Sequence, residues 1–407
     1  VDYVCESNSR DAVEILKKIK PDIYCKGPDY KNFKEDLTNK IYDEVKVLKS
    51  YGGKFKTTDD PIFSSSKLLN TLYRNNSEQD RYLYKVNKKF KKKEIINILD
   101  KFKKYKVLVI GESILDEYTF CDALGKSGKE PVLTMKSLHT EKFLGGSLAI
   151  CRHLSTFCNK VTLLSYLGEK REEEKFIKSG LEKNIHPLFL AKKKSPTIIK
   201  RRFIENINKI KTLGLYSLND APLDKITENK LFKSIKRQIK KHDLIIISDY
   251  GHGLINKRIA KLITSSKKFF TLNAQINSSN LGHHTLDKFS KMNALIINAN
   301  ELRHEFRDNI SPISELAIKL KKKSKASNVL VTKGKDGAIL IHKNKIFECP
   351  GFANNVVDKI GAGDAMLAIT SLCFKAKIGQ NLTLYLGSLA GAHAVQSISN
   401  SEPVKKS

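Results

Sequence analysis

The chain has 407 residues, of which 40% are hydrophobic and 29% are charged, the composition of a folded protein with room for more than one domain. No apolar run is long enough for a membrane helix, and the seven cysteines include no CxxC pair, which argues against a membrane protein and a structural zinc site. The formal net charge of +31 raises a nucleic-acid-binding role, but the lysines are spread along the chain without interleaved aromatic residues, and we interpret them as solvating the surface.

The cysteines and the chain ends indicate where the protein works and how much of it is present. Most cysteines lie inside apolar runs, as reduced and buried thiols do, so we expect a cytoplasmic protein. The chain begins at Val1 without a methionine and ends at Ser407 soon after a helical pattern. We therefore expect a segment of a longer protein, and no targeting signal can be read from it.

Residues 1–75 alternate short apolar runs with helical patterns, and they predict a strand at 3–5, a helix at 12–19 and a strand at 23–25. A Lys-Gly-Pro-Asp-Tyr turn follows the second strand, and a serine cluster comes later; on its own, such a cluster is more often an ordinary helix cap. In this order the features resemble the second half of a cytidylyltransferase-like nucleotidyltransferase domain with a Rossmann-like fold. The resemblance implies a nucleotide half-site made of Lys26, Gly27, Asp29, Ser64, Ser65 and Ser66.

That resemblance is partial. The family's His-x-Gly-His signature, which belongs to the first half of the domain, occurs nowhere in the 407 residues. We expect the piece to bind part of a nucleotide, and to transfer one only if the full-length protein supplies the missing half. Residues 76–104 are polar and basic, with helical periodicity through Phe90, Ile95 and Leu99, and they predict a linker that includes one helix.

From Tyr105 the pattern changes to short apolar runs with helical segments between most of them. Such runs are typical of buried parallel strands, and their alternation with helices predicts a mainly parallel sheet covered on both faces, in one α/β domain over residues 105–407. The runs lie at 106–110, 161–165, 244–248, 269–273, 295–298 and 329–332.

The most informative segment of this domain is Gly361-Ala362-Gly363-Asp364, which opens an apolar helical run. Backbone N–H groups at a helix start form an anion site, and glycines leave room for a ligand to approach them. Asp364 in the first turn is placed to accept a proton from a hydroxyl that attacks a bound phosphoryl group. The simpler interpretation, an acid that only caps a helix, applies to most isolated motifs of this kind.

Three further features follow strands in a consistent order, at the positions where open α/β sheets bind ligands. A glycine pair, Gly145-Gly146, precedes a helix; Asn298 and Glu301 follow one strand; and a Lys-Gly-Lys-Asp-Gly turn follows the next. Together with the glycine-rich helix start, these residues resemble the ribokinase-like, or PfkB, sugar kinases over roughly Tyr105 to the end of the chain.

The resemblance implies ATP and Mg²⁺ as cofactors and assigns roles to matching positions. Gly361, Ala362 and Gly363 form the anion hole, and Asp364 is the base. The residues implied on the nucleotide side are Asn298, Glu301 (which acts on magnesium indirectly), Lys333, Gly334 and Gly337, and those on the sugar side are Asp116, Gly145 and Gly146. The family usually has Thr where this chain has Lys359, which either contacts a phosphate or points to solvent, and commonly has Asn where this chain has Ala149.

Two segments resemble the heptose-phosphate kinases within that family. They are Ser-Asp-Tyr-Gly-His-Gly at 248–253 and the strand at 195–202. Lys200 and Arg202 alternate and therefore share a strand face, which suits a sugar that already carries a phosphate, although a basic edge strand has the same pattern. Asp249 either caps the following turn or touches the substrate, and His252 fits a structural role better.

These patterns favour the sugar kinase part of a bifunctional kinase and nucleotidyltransferase of nucleotide-sugar synthesis. The alternatives are a kinase of another small sugar or nucleoside, and a catalytically degenerate kinase fold that serves as a binding module. We expect a sugar or sugar phosphate as the partner, no specific nucleic acid and no membrane. Related kinases often dimerise through a small lid over the substrate, so a homodimer is a further expectation, and the regions 119–138 and 197–216 are candidates for the lid.

Overall fold

The computed structural model describes residues 11–27, 30, 40–58, 78–276, 280 and 286–406. The chain divides into two compact units, Val1–Arg81 and Tyr82–Ser407. The domain limits at 75 and 105 remain predictions, but residues 82–104 belong to the second unit by their contacts. The strand predicted at residues 3–5 lies outside the described residues.

In the first unit, two parallel strands flank a helix. The elements are α1 (Val13–Ile19), β1 (Ile23–Lys26), α2 (Ile41–Ser50) and β2 (Lys54–Thr57). Strand β1 pairs with β2 from Ile23 opposite Lys54 onward. Leu16, Ile41 and Leu48 are buried between these elements. A parallel pair joined through a helix is the arrangement that Rossmann-like layers repeat.

The helices from residue 78 onward are α3 (Glu78–Lys89), α4 (Lys92–Asp100), α5 (Ser147–Ser155), α6 (Glu174–Ser179), α7 (Lys225–Ile239), α8 (Lys257–Ser265), α9 (Ala299–Phe306), α10 (Ile313–Ser324), α11 (Ala362–Ala376) and α12 (Gln380–Ala394). The strands are β3 (Lys106–Gly111), β4 (Ser113–Lys126), β5 (Leu133–Gly146), β6 (Lys160–Gly168), β7 (Ile185–Lys192), β8 (Ile198–Glu205), β9 (Lys211–Ser217), β10 (Leu244–Asp249), β11 (Phe270–Ala274), β12 (Ala294–Asn298), β13 (Asn328–Thr332), β14 (Ala338–His342) and β15 (Lys345–Cys349). No helix among the described residues is long and apolar enough to cross a membrane.

The larger sheet of the second unit has nine strands in the order β7-β6-β3-β10-β11-β12-β13-β14-β15. Pairing is parallel from β7 to β13, while β14 and β15 are antiparallel additions at one edge. Alternate residues of each strand enter two cores, one on each face of the sheet. Val107 and Val109 pack in the first core, and Leu108 and Ile110 pack in the second. Burial on both faces explains why the strands are continuously apolar.

The chain order of the strands reverses at the centre of this sheet. From β3 the chain adds β6 and β7 on one side, and then β10 to β13 on the other. In open α/β sheets ligands bind outside the carboxyl ends of the strands at such a point. Here the ends of β3 and β10 lie side by side, with Gly111 opposite Ser248.

The stretch predicted as a linker packs on the sheet's helical layer. Tyr82, Phe90, Ile95 and Leu99 pack against the first core, and Phe102 is fully buried in it. Within residues 82–104 the helical periodicity therefore marks an apolar face that packs on the rest of the second unit.

A separate sheet of four strands, in the order β5-β4-β8-β9, contains both regions that the sequence offers as a lid. Strand β4 runs parallel to β8, with Asp116 opposite Lys200 and Tyr118 opposite Arg202. We call this four-stranded sheet the lid. Its edge strand β9 is exposed along its whole length.

Candidate active site

Asp364 lies at the first turn of α11, at the carboxyl-terminal edge of the larger sheet. Gly361 precedes the helix with a φ of 95°, a left-handed conformation that glycine adopts without strain. Gly363 is exposed, and an added Cβ there would meet no atom within 4 Å. Asp364 is buried, and its Oδ1 accepts a hydrogen bond of 2.8 Å from the hydroxyl of Tyr250.

The surroundings of Asp364 keep its proton affinity high for a carboxyl group. Burial raises its pKa to about 7; the Tyr250 hydroxyl and the Lys200 ammonium oppose that rise, and the charge of Asp116 adds to it. A carboxyl group with a pKa near neutrality is suited to act as a general base at physiological pH. Asp364 therefore has the electrostatic environment of a catalytic acid–base group.

The predicted sugar-side residues meet on the face of the lid that lies towards Asp364, which we call its inner face. Arg202 forms an ion pair of 2.6 Å with Asp116, and a Cβ on Gly145 would come within 2.1 Å of Asp116 Oδ2. The absence of a side chain at Gly145 thus makes room for this carboxylate. Gly146 has a φ of 58° and turns the chain into α5.

Lys200 lies next to this ion pair and faces the base. It is buried, and its Nζ is 5.7 Å and 5.9 Å from the ring centroids of Tyr216 and Tyr250. Burial lowers the pKa of Lys200, whereas the charges of Asp116 and Asp364 oppose that shift. The structure thus brings Lys200 and Arg202 together with Asp116.

On the nucleotide side, Asn298 and Glu301 form a capping box at the start of α9. The Asn298 side chain accepts from the Glu301 N–H at 2.8 Å, and Glu301 accepts from the Asn298 N–H at 2.9 Å. Glu301 also accepts from the Ile276 N–H, and burial raises its pKa to about 7. Because Glu301 is already bonded to two backbone groups, the geometry fits an indirect role toward a metal better than direct coordination.

The remaining nucleotide-side candidates lie at neighbouring strand ends. Lys333, Gly334 and Gly337 form a tight turn between β13 and β14, in which the Lys333 N–H donates to the Gly337 carbonyl at 2.7 Å. Both glycines have positive φ, and a Cβ on Gly337 would come within 2.0 Å of the Cys349 carbonyl oxygen. Lys359 is exposed in the loop before α11. These residues show no contact with Asp364 among the described contacts.

Magnesium would have to be shared with phosphate oxygens. Among the described residues, no group of three acidic, His or Cys side chains is arranged to hold an ion by itself. Magnesium in phosphoryl-transfer sites is typically held by one or two carboxylates together with substrate phosphates and water, which this edge of the sheet can provide.

Asp249 and His252 are engaged within the fold. Asp249 forms an ion pair of 2.6 Å with Lys288 and accepts from the Gly251 N–H, which fits the capping interpretation. His252 lies 2.6 Å from Asp220 and is fully buried, as expected for a structural histidine. The sequence indicated no role for two residues of the site, Tyr250 within the 248–253 segment and the buried Glu112 that follows β3. An acid directly after a buried strand was the available signal for Glu112.

Of the nucleotidyltransferase half-site, only Lys26 and Gly27 lie within the described residues; Asp29, Ser64, Ser65 and Ser66 lie outside them. The Lys26 Nζ forms an ion pair of 2.5 Å with Glu44, and no atom lies within 4 Å of a Cβ placed on Gly27. The half-site remains a prediction.

Comparison with known proteins identifies the family. The family model described as pfkB family carbohydrate kinase matches residues 104–406. The chain belongs to the pfkB carbohydrate kinase family. It is therefore a carbohydrate kinase, a phosphotransferase with an alcohol group as acceptor, and kinases of this family use ATP.

Individual relatives agree with this assignment. The chain is 25% identical over 297 residues to the bifunctional protein HldE of Campylobacter jejuni, covering 72% of this chain and 62% of that protein. It is 27% identical over 281 residues to HldE of Helicobacter pylori strain HPAG1, covering 66% and 58%. The chain thus spans about three fifths of the length of these relatives.

Two solved structures show the same fold. Escherichia coli phosphofructokinase-2 in complex with fructose-6-phosphate aligns with a TM-score of 0.58 and 14% identity, over 72% of this chain and 95% of that one. Arabidopsis thaliana ribokinase complexed with ribose and ATP aligns with a TM-score of 0.54 and 17% identity, over 74% and 96%. The ribokinase-like fold with a mainly parallel sheet is confirmed.

Proposed function

We propose that this carbohydrate kinase phosphorylates a sugar that already carries a phosphate, a heptose phosphate or a close analogue, with Asp364 as the base and ATP with Mg²⁺ as donor. The observation that carries the proposal is the pair Lys200 and Arg202 on the inner face of the lid, beside Asp116 and facing Asp364. Two cations beside a hydroxyl-binding carboxylate exceed what a neutral sugar needs.

The chemistry follows from the placement of the side chains. Asp116 and Arg202 orient the sugar so that one hydroxyl lies against Asp364. Asp364 takes its proton as the oxygen attacks the γ-phosphoryl group of ATP, and the bond from that phosphorus to the bridging oxygen breaks with release of ADP. The N–H groups at the start of α11 stabilise the charge on the transferred group. Mg²⁺, placed by the region of Asn298 and Glu301, would neutralise charge on the ATP phosphates.

The wider pathway is also a proposal. The HldE relatives are named as bifunctional, and the first unit has the parallel β1-α2-β2 arrangement expected of the nucleotidyltransferase half. We propose that the kinase acts within a kinase and nucleotidyltransferase protein of nucleotide-sugar synthesis. The second activity requires the part that carries the His-x-Gly-His signature.

A kinase of a neutral sugar is the second candidate, because Arg202 is already paired with Asp116. In that case Arg202 serves to hold Asp116, and only Lys200 remains for a ligand. Replacing Arg202 distinguishes a neutral sugar from a phosphorylated sugar as the substrate. Arg202→Met would then lower turnover of all sugars alike, whereas loss confined to phosphorylated sugars supports the first candidate.

The deciding experiment measures ATP consumption by the full chain against neutral sugars and heptose 7-phosphates, beside Asp364→Asn. We expect turnover with a heptose phosphate and a loss of at least about a hundredfold in the variant, the usual size of a general-base contribution. Turnover only with a neutral sugar would reject the phosphate assignment. Turnover undiminished in Asp364→Asn would reject the base.

A further inference from the structure

The hydroxyl of Tyr250 is the hydrogen-bond donor that the structure places on the proposed base. It lies 2.8 Å from Asp364 Oδ1, and Tyr250 is almost fully buried. Among the described residues, Oδ2 of Asp364 has no hydrogen-bond partner, so this oxygen is left to take a proton from the acceptor. A phenol donates one proton, and donation to the charged carboxylate favours that form over the neutral one.

Glu112 holds the loop that carries Tyr250. Its Oε2 accepts from the Tyr250 N–H at 3.0 Å, and its Oε1 accepts from the N–H groups of His252 and Leu254 at 3.1 Å and 3.4 Å. The Asn280 side chain donates to the Tyr250 carbonyl at 2.9 Å. A single fully buried carboxylate after β3 thus fixes the loop after β10, across the point where the strand order reverses.

The ring of Tyr250 is held from the lid side as well. Lys200 of β8 has its buried ammonium 5.9 Å from the ring centroid, within the range of a cation–π contact. The charged and titratable groups that face Asp364 are Tyr250 after β10, Asp116 on β4, Lys200 on β8 and Glu301 on α9. Of these, only Tyr250 makes a direct hydrogen bond to Asp364 in the described part of the chain.

We propose that Tyr250 is a positioning residue for the proposed base: its hydroxyl fixes the rotation of the Asp364 carboxylate and stabilises its charged form, and Glu112 positions Tyr250 through the backbone. This inference rests on the proposed role of Asp364. It gives a role to the tyrosine of the Ser-Asp-Tyr segment, which the sequence pattern by itself does not specify.

The test is the pKa of the Asp364 carboxyl in the full chain with ¹³C-labelled aspartate, followed by NMR from pH 5 to 9 and assigned with Asp364→Asn. In Tyr250→Phe we expect this pKa to rise by about one unit, because the carboxylate loses a charge-assisted hydrogen bond. The matched control is Tyr82→Phe, which removes a buried hydroxyl packed against the first core, outside the loop that carries Tyr250. It should leave the Asp364 pKa in place. An unchanged pKa in Tyr250→Phe would overturn the proposal.

Kinetics give a second readout that a purely structural role would not move. The acid limb of kcat/KM should shift upward with the carboxyl pKa in Tyr250→Phe, so that activity at pH 6 falls about tenfold more than at pH 9. Equal losses at both pH values would mean that Tyr250 only supports the fold.

If Tyr250→Phe does not fold, 3-fluorotyrosine at position 250 retains the ring and donates more strongly, and it should lower the Asp364 pKa; no shift would again reject the proposal. If the wild-type chain shows no sugar-dependent ATP turnover, the proposed function fails, while the NMR titration still decides whether Tyr250 controls Asp364.

Discussion

At the scale of single residues, three buried carboxyl groups share one property. Burial raises the pKa values of Glu112, Glu301 and Asp364 to about 7 in each case. Glu112 and Glu301 are bonded to backbone N–H groups, whereas Asp364 is bonded to a phenol. The first two therefore hold a loop and a helix start, whereas among the described residues Oδ2 of Asp364 has no hydrogen-bond partner.

These shifts predict how stability depends on pH. A carboxyl group whose pKa is raised by folding binds its proton more tightly when folded. Its contribution to the free energy of unfolding is complete below the pKa of the unfolded chain, 3.8 for Asp364. This contribution is lost as the pH rises through the folded pKa of about 7. Asp364→Asn mimics the protonated form and should stabilise the chain at pH 8 by on the order of 3 kcal/mol, with little change at pH 4.

Urea denaturation at both pH values checks this, with Glu130→Gln, an exposed carboxylate in the β4–β5 connection, as the control. Equal stability of wild type and Asp364→Asn at pH 8 would show that the ionised Asp364 carries no burial cost.

A second residue-scale prediction concerns the space that Gly145 leaves for Asp116. In Gly145→Ala the new methyl group would overlap Asp116 Oδ2, which must then move away from Arg202. Displacing a substrate-orienting carboxylate by about 1 Å commonly costs one to two orders of magnitude. We expect kcat/KM for the sugar to fall by about tenfold or more, while KM for ATP stays within about twofold of wild type.

Gly128→Ala is the matched control, since no atom lies within 4 Å of its added Cβ. Steady-state kinetics with both substrates distinguish the outcomes. A rise in KM for ATP alone would place Gly145 at the nucleotide site and contradict the prediction.

At the scale of elements, the start of α11 uses its glycines for two different reasons. Gly361 has a φ of 95°, and its Cβ would come within 2.2 Å of Asn400 Oδ1, so the fold itself requires glycine there. Gly363 is helical and faces open space, so only an approaching ligand would meet a side chain.

Alanine substitutions should therefore separate stability from activity. Gly361→Ala should destabilise the chain by about 1–2 kcal/mol or more, because of the left-handed φ and the clash. Gly363→Ala should be as stable as wild type, or more stable by about 0.5–1 kcal/mol, because alanine favours helices. It should nevertheless lose most of its activity, since the methyl group stands where phosphates approach the N–H groups. Thermal unfolding and ATP turnover of the two variants test this. Full activity in Gly363→Ala would contradict the proposal that the start of α11 forms an anion hole.

At the scale of the whole second unit, the lid exposes apolar side chains along its edge. Leu213 is 61% exposed and Leu215 is 54% exposed on β9, and they lie on one face of an edge strand. Exposed apolar edge strands are typical sites of association between chains. The expected homodimer would bury this face against a second copy.

The variant Leu213→Glu with Leu215→Glu should convert a dimer into a monomer in sedimentation velocity. Ile310→Glu is the control, because Ile310 is 96% exposed and lies far from the lid in sequence. A wild-type chain that sediments as a monomer, or a double variant that remains dimeric, would contradict an interface at the lid.

The sequence by itself determined six of the nine strands of the larger sheet, and the family. The six apolar runs all became strands of one sheet, with bounds within a few residues, because buried parallel strands are written as continuous local runs. Gly361, Gly363 and Asp364 were recognisable because glycines at a helix start open its N–H groups to an anion, and an acid in the same turn can serve as the base. The helical pattern of residues 76–104 was also recognisable, but not the core that buries its apolar face.

Only the tertiary structure decided which of these groups meet. Tyr250 and Asp364 are 114 positions apart, and Asp116 and Arg202 are 86 apart, so no local pattern pairs them. The same holds for the lid, because its strands β4 and β8 pair although β5, β6 and β7 lie between them in the chain. Such contacts depend on how the sheet order and the crossovers place distant strand ends together, and on burial, which sets the pKa of each group only after folding.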